Sequence, residues 1–441
     1  MGRFHDVRPE AIVRCRTPGE VAEAISFARS SGSDIAIRSG GHCFAGRSST
    51  TGVLIDLGHM SSISVSDGLV EVGAGARLAD IYDALEPHGV TIAGGCGPTV
   101  GIAGLALGGG LGILGRTYGL TADQVVAAQV VLSDGSVVSC DEHHHEDLFW
   151  ALRGAGGGQL GVVTKLVLKT VSSPLTTCFK VAWPIEDAPV VIAAWQAWAP
   201  FARDELAASL LVTVPANTER PPLATVFGAM AGSRTETEQE LSAVRASIGS
   251  TPQSSSFEEL PYRQAKRYLA ENGPGAGDVE DSPTLDFSKS EFFRTPLPEE
   301  AIAALVDWLV EGRAPGRARE LDFSPWAGAY NRVAPDATAF PHREELFVLK
   351  QAAVLRTGAE PAEVEAEREW LARSWALVHP WGSGGVYPNF PDPDLVDPGR
   401  AYHGANLERL LRVKERYDPD NLFRFPQSLQ EEGPANGPSD R

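Results

Sequence analysis

The 441-residue chain is poor in cysteine and in positive charge, and it has no long apolar run; each shortage excludes something. Its five cysteines (Cys15, Cys43, Cys96, Cys140, Cys178) are scattered and odd in number, with no Cys-x-x-Cys pair. Neither a disulfide framework nor a zinc knuckle is readable from them. Lys and Arg number 38 against 57 Asp and Glu, a formal net charge of -19. A nucleic-acid binder needs basic faces that displace counterions, so no nucleic-acid partner is expected. No apolar run reaches the roughly eighteen residues of a membrane-spanning helix, so no membrane partner is expected. The first ten residues lack the apolar stretch of a secretory signal, which makes a cytoplasmic protein the expectation. The run His143-His144-His145 precedes Asp147-Leu148-Phe149-Trp150 and reads as a polar loop, so no metal is assigned.

Hydrophobic patterning and glycine are what the chain does have. A hydrophobic share of 43% over this length indicates a globular protein with more than one core. Thr17 and Glu20 form a capping box around Pro18, and Val21, Ala24, Ile25 and Ala28 recur at helical spacing before Gly32. Short strands are expected at 34–38, 53–57 and 69–75, and a helix carrying Leu78, Ile81 and Leu85 should stop at Gly89. Asp134-Gly135 lies between apolar runs and predicts a hairpin. A helix near Asp147–Arg153, a glycine loop at 154–158 and a strand at 160–170 complete an α+β region. After Ser172-Ser173-Pro174, Trp and Pro become frequent, and strands alternate with amphipathic helices such as 298–311. Glu271–Pro283 reads as a surface loop. The polar, Pro/Gly-rich residues 431–441 read as a disordered tail.

Two glycine segments carry the chemistry. In Ile35-Ala36-Ile37-Arg38-Ser39-Gly40-Gly41-His42 a strand runs into a turn without Cβ atoms and delivers an imidazole directly behind it. Bare N–H groups in such a turn can cradle phosphate oxygens, while the imidazole beside them is a nucleophile. That is the equipment for gripping a phosphate-bearing cofactor and reacting with its ring. The second segment, Thr91–Gly119, holds eleven glycines among 29 residues. Gly110-Leu111-Gly112-Ile113-Leu114-Gly115 formally matches a dinucleotide-binding fingerprint. The context argues against it, because no strand directly precedes Gly110 and the required helix would carry Gly112, Gly115 and Gly119.

The first glycine segment resembles the FAD-binding domain of the vanillyl-alcohol oxidase superfamily, of PCMH type. Within it, Tyr402-His403-Gly404-Ala405-Asn406 and the run from Tyr417-Asp418-Pro419 to Pro426-Gln427-Ser428-Leu429 resemble the berberine-bridge-enzyme-like oxidases. The likeness runs from about Arg8 to Leu429. It implies an α+β fold: an FAD-binding domain of two α/β subdomains over 1–172, and a substrate domain with a helix-covered antiparallel sheet over 173–385. A segment at 386–430 is expected to return to the first domain. Relatives usually begin a few dozen residues earlier, so the start looks truncated.

The same resemblance implies FAD as cofactor, held by Arg38, Ser39, Gly40, Gly41, His42, Gly46, Arg47 and Ser48 at the pyrophosphate. Cys96, Gly97, Val100, Gly101, Gly104, Gly109, Gly110, Gly112, Gly161, Val163, Tyr387 and Asn389 are the further contacts implied. His42 is implied to bond the 8α-methyl of the flavin. Many relatives place a second, cysteine link to flavin C6 where this chain, aligned on Pro98-Thr99-Val100, has Gly97. Cys96 is displaced by one residue, so a single link is expected. Val100, small and β-branched, resembles the oxygen-using members. Leu111 stands where some relatives place an aromatic residue. Phe340-Pro341-His342-Arg343 also matches a family segment, with a structural role expected.

Tyr387 is implied to be the catalytic base or a substrate hydrogen-bonder, with Lys350 expected to assist it, because a free phenol titrates near pH 10. Trp326, Tyr330 and Trp381 are proposed as a substrate wall. The reaction implied is hydride transfer from an alcohol, phenol or activated C–H of a small metabolite or carbohydrate, with O2 as oxidant and H2O2 as product. The alternatives are a dehydrogenase with another acceptor, an oxidative cyclase, or an idle flavin-binding protein.

Overall fold

The computed structural model describes Phe4, residues 6–273 and residues 284–430. The expected tail at 431–441 and residues 274–283 of the expected surface loop lie outside the described residues.

The first strand, β1 (Ala11–Arg14), leads into helix α1 (Pro18–Ser31), and the start and stop signals act as the sequence suggests. Thr17 Oγ1 accepts the Glu20 N–H at 3.2 Å, and Gly32 ends the helix in the left-handed region at φ 67°. The helix buries Val21, Ala24, Ile25 and Ala28. Each of the larger of these side chains contributes about 1.5–3 kcal/mol on leaving water. Strands β2 (Ile35–Arg38) and β3 (Val53–Asp56) join β1 in a parallel three-stranded sheet of order β1-β3-β2.

A five-stranded antiparallel sheet follows, built from β4 (Ile63–Ser66), β5 (Leu69–Gly73), β6 (Val125–Val131), β7 (Val137–Asp141) and β8 (Val162–Lys169). Its order is β4-β5-β8-β6-β7. The hairpin expected at Asp134-Gly135 joins β6 to β7; Asp134 Oδ1 accepts the Ser136 N–H at 2.8 Å and Gly135 supplies φ 85°. Helices α2 (Leu78–Leu85), α3 (Ile102–Leu107), α4 (Gly115–Tyr118) and α5 (Glu146–Leu152) complete this half. The residues before Gly108 form α3, not a strand, and Gly109 and Gly110 have φ 119° and 88°, so the fingerprint-like spacing there is a glycine turn.

The second half is a seven-stranded antiparallel sheet of order β12-β9-β11-β10-β14-β15-β13. Its strands are β9 (Leu175–Pro184), β10 (Leu206–Val214), β11 (Leu223–Ala231), β12 (Ser254–Pro261), β13 (Thr284–Phe293), β14 (Arg317–Pro325) and β15 (Phe347–Arg356). Strand alternation divides its residues between two faces. Phe347, Leu349, Leu321 and Phe323 pack under α6 (Ala188–Trp198), α7 (Arg234–Ile248), α9 (Glu299–Val310) and α10 (Pro361–Val378). Phe292 and Val348 lie on the opposite face, in an aromatic cluster with Tyr387. Helix α8 (Tyr262–Asn272) packs Ala265 and Leu269 against Cys178 and Ala229. After α11 (Pro398–His403), residues Leu410, Val413 and Tyr417 of α12 (Leu407–Tyr417), with Phe423 and Leu429, enter the same core as α1 and β5.

Candidate active site

At the end of β2 the chain turns through Gly40 and Gly41 (φ 74°) into His42. This turn meets the 97–101 loop backbone to backbone. A Cβ on Gly40 would lie 2.2 Å from Gly101 N, and one on Gly101 would lie 2.0 Å from Ser39 Oγ, so neither position accepts a side chain. Ser39 Oγ donates to the Ala74 carbonyl at 2.6 Å, and Arg38 donates twice to the Ser48 carbonyl, which ties both ends of the turn. Among the described residues nothing accepts the N–H groups of Gly40, Gly41, His42 or Cys43. A row of free donors in a half-buried turn is a nest for an anion.

His42 reaches across to the second loop, with Nε2 2.8 Å from Thr99 Oγ1. The residue is exposed at its surface, yet the loops around it partly desolvate the ring, and with the Arg77 charge assisting this holds the imidazole below its usual pKa, so it is neutral near pH 7. In the tautomer that donates from Nε2 to Thr99, Nδ1 keeps a bare lone pair. The site therefore combines a nucleophilic nitrogen with an anion nest.

Known proteins agree with that chemistry. A family model for an FAD binding domain matches residues 9–141, and a second, for berberine and berberine-like proteins, matches residues 386–430. The uncharacterized FAD-linked oxidoreductase YgaK of Bacillus subtilis (strain 168) is 32% identical over 430 residues, covering 96% of this chain and 91% of that protein. The chain belongs to the berberine-bridge-enzyme-like family of FAD-linked oxidoreductases. Solved structures carry the same fold: BBE-like 1 of Physcomitrella patens superposes with TM-score 0.85 at 28% identity, covering 96% of this chain and 92% of that one. Glucooligosaccharide oxidase from Acremonium strictum, described with a 6-S-cysteinyl, 8α-N1-histidyl FAD, gives 0.84 at 27%, covering 96% and 92%.

FAD is thus the cofactor, the enzyme is an oxidoreductase, and the expected fold class is the one observed. The residues present fit the group. The nest at Gly40–Cys43 suits a pyrophosphate, and Gly104 is exposed on α3 with nothing within 4 Å of its Cβ position. Gly46 (φ 71°) continues the first loop, and Arg47 donates to Gln427 Oε1 at 3.2 Å while lying over the Tyr402 and Phe425 rings. The C-terminal segment therefore holds this loop. Gly161 (φ 148°) and Val163 stand at the start of β8, the Val163 side chain in the packed core.

The second glycine segment is pinned from the other half of the molecule. The Tyr387 phenol oxygen accepts the N–H groups of Gly110 (2.8 Å) and Leu111 (3.1 Å), and Asn389 Nδ2 lies 3.3 Å away. Asn389 also donates to the Leu105 carbonyl at 2.9 Å. Tyr387 is buried among Phe292, Trp326, Phe340 and Phe390. Burial raises the phenol above its ordinary pKa, against the pull of Asn389, Gly110 and Leu111. Tyr330 does the same for Gly112, exchanging bonds of 3.3 and 3.2 Å with its N–H and carbonyl.

The expected assistance of Tyr387 by Lys350 is not observed. Lys350 Nζ lies 3.8 Å from Asp322 Oδ2, over the rings of Phe44 and Phe390, because β14 and β15 pair Asp322 with Lys350 in register. Asp322 was not singled out from the sequence. The signal was there, in the alternate polar residues Glu320, Asp322 and Ser324 of an otherwise buried strand. Burial raises the Asp322 carboxyl, with Lys350 and Ser324 opposing. Ser324 Oγ, 3.4 Å from Asp322 Oδ1, connects that carboxylate to an inner cavity of about 180 Å³. The cavity is walled by Cys96, Leu111, Arg116, Phe227, Ser324 and Tyr330. Of the proposed substrate wall only Tyr330 is there; Trp326 is core, and Trp381 packs on the helical side of the sheet.

The displaced cysteine has a clear placement. A Cβ on Gly97 would lie 2.8 Å from Val100 Cγ2, so Val100 fills the space that a side chain at 97 would need. Cys96 instead packs against Cys178, Ala229, Ala265 and Leu269 of the substrate half, and all five cysteines are free thiols. The carbonyls just before it are gripped by Lys266, whose Nζ donates to Gly94 and Gly95, and by Tyr82, whose hydroxyl donates to Gly95 at 2.7 Å. The histidine run is engaged locally: His144 faces Asp141, and His145 Nδ1 lies 3.2 Å from the Tyr417 hydroxyl.

Proposed function

We propose that the protein is an FAD-dependent oxidase whose flavin is tethered through His42 alone and which oxidises an alcohol or activated C–H of a small organic molecule. The observation that carries this reading is the His42 ring, held at Nε2 2.8 Å from Thr99 Oγ1 beside the anion nest; burial lowers its pKa, which favours the neutral, nucleophilic form. FAD, when bound, supplies the hydride acceptor. Gly40–Cys43 would hold its diphosphate through backbone N–H groups, and the His42 imidazole would carry the tether. The placement of Gly97 and Cys96 supports one tether and not two.

Ser324 and Asp322 give the substrate proton somewhere to go. The raised carboxyl of Asp322 sits one hydroxyl behind the cavity wall, and Lys350 stabilises the charge it carries when ionised. General-base assistance of this kind is worth about 10²–10⁴-fold. Tyr387, protonated at neutral pH, keeps the Gly109–Gly112 turn in place and retains its own O–H for donation. Val100, a small side chain beside Gly97, supports access for O2.

Acid denaturation followed by peptide mapping tests the tether: flavin on the His42 peptide alone is the expected result. A peroxide assay during turnover tests the acceptor. Turnover that reduces a quinone and releases no H2O2 would replace the oxidase reading with a dehydrogenase.

A further inference from the structure

Cys96 lines a second, larger cavity of about 370 Å³ besides the inner one. This cleft lies between α2 and α8 and is walled by Tyr82, Cys96, Arg263, Lys266, Arg267 and Glu271, among others. Three cations thus face one carboxylate, on a chain whose net charge is -19. Arg263 is engaged by Asp83, but Arg267 is exposed and pairs with no carboxylate among the described residues.

Lys266 is the more telling of the three. It is 1% exposed, between the Tyr82 and Tyr262 rings at 5.0 Å each, and meets no carboxylate among the described residues. A buried ammonium without a counter-charge is costly, and burial accordingly lowers the Lys266 pKa; an anion beside it would raise it again. Its nitrogen donates to the Gly94 and Gly95 carbonyls, and in the protonated form a third N–H has no acceptor among the described residues. A buried, part-satisfied cation beside an unpaired surface guanidinium, both on one cleft wall, is an arrangement that an oxyanion completes.

We propose that this cleft binds a carboxylate or phosphate-ester group of the substrate, whose apolar body passes Cys96 into the inner cavity. The proposal rests on the oxidase reading above and narrows its substrate to an amphiphilic organic acid. Leu111, Phe227, Leu269 and Tyr330 of the inner cavity suit the apolar part, and the guanidinium fork of Arg267 suits the acid. The one-residue displacement of Cys96 then has a use, since this residue lines both cavities.

Isothermal titration of the holoenzyme with hexanoate, hexyl phosphate and neutral hexanamide tests this. At low salt at least one anion should bind about tenfold more tightly than the amide, the scale of one charge-assisted bond. Which anion does so identifies the acid group. Arg267→Glu and the milder Arg267→Gln should abolish the preference and leave hexanamide binding unchanged; both alter an exposed side chain, so folding is not at stake. Equal affinities for all three ligands, or a preference that survives in Arg267→Glu, would overturn the proposal. The same preparations are acid-precipitated. Flavin retained in the pellet alongside equal affinities sinks only the anion site, whereas released flavin with the preference intact sinks only the tether.

Discussion

The two sides of the active site are built from different materials. On the cofactor side the working parts are backbone: free N–H groups at Gly40–Cys43, two loops in contact at Gly40 and Gly101, and carbonyls at Gly94 and Gly95 held by Lys266. On the sheet side the working part is a pair of charged side chains brought together by strand register, Asp322 with Lys350, facing the cofactor half; on the opposite, helix-covered face Arg319 pairs with Glu367 of α10. A site made of backbone fails when atoms are added to it. One made of paired charges fails when atoms are taken away.

Replacing His42 gives the largest contrast. His42→Ala should lose all covalent flavin, read as flavin fluorescence in the acid supernatant, while the fold stays intact because His42 is exposed. Retention of bound flavin in that variant would remove the tether from the cofactor side altogether. Asp322→Asn comes next. On the proposed role of Asp322 as proton acceptor it should lower kcat by about 10²–10⁴-fold with normal flavin loading. An unchanged kcat would return the proton to Tyr387.

Two stability variants sharpen the same contrast. Glu367 accepts from Arg319 Nε and Nη2 at 2.9 Å each, with both side chains buried. Glu367→Gln leaves a buried guanidinium short of charge and should cost about 3–5 kcal/mol, seen as a lower urea midpoint. Gly40→Ala adds a single methyl where Gly101 N would stand 2.2 Å away, and should cost about 1–3 kcal/mol together with weakened FAD loading. A Gly40→Ala protein with wild-type flavin content would show that the two loops can part.

The cofactor side was legible in the sequence because its instructions are local. Gly40, Gly41 and His42 are consecutive, and the Thr17–Pro18–Glu20 signals and Asp134-Gly135 hairpin act within a few residues. The sheet side was legible only in its alternation. The Tyr-x-Asn pattern marks Tyr387 as a catalytic candidate, but its partners in the structure, Gly110 and Leu111, lie 277 and 276 positions away and no local pattern names them. Lys350 is a candidate through its place in Phe347-Val348-Leu349-Lys350, and the pairing of β14 with β15 sets it beside Asp322, a neighbour the pattern does not show. Lys266, on the apolar stripe of α8 between Tyr262, Ala265 and Leu269, was the visible anomaly that pattern reading passed over.

The sequence by itself determined the fold class, the cofactor and the placing of an imidazole directly behind the Gly40-Gly41 turn, because turns without Cβ atoms, caps and alternation act over a few residues and leave their mark there. Tertiary structure alone decided which charges meet, that Val100 closes the space beside Gly97, and that Cys96 lines two cavities. Those outcomes depend on distances between atoms remote in the chain. Strand register and loop packing set such distances, and no local residue pattern encodes them.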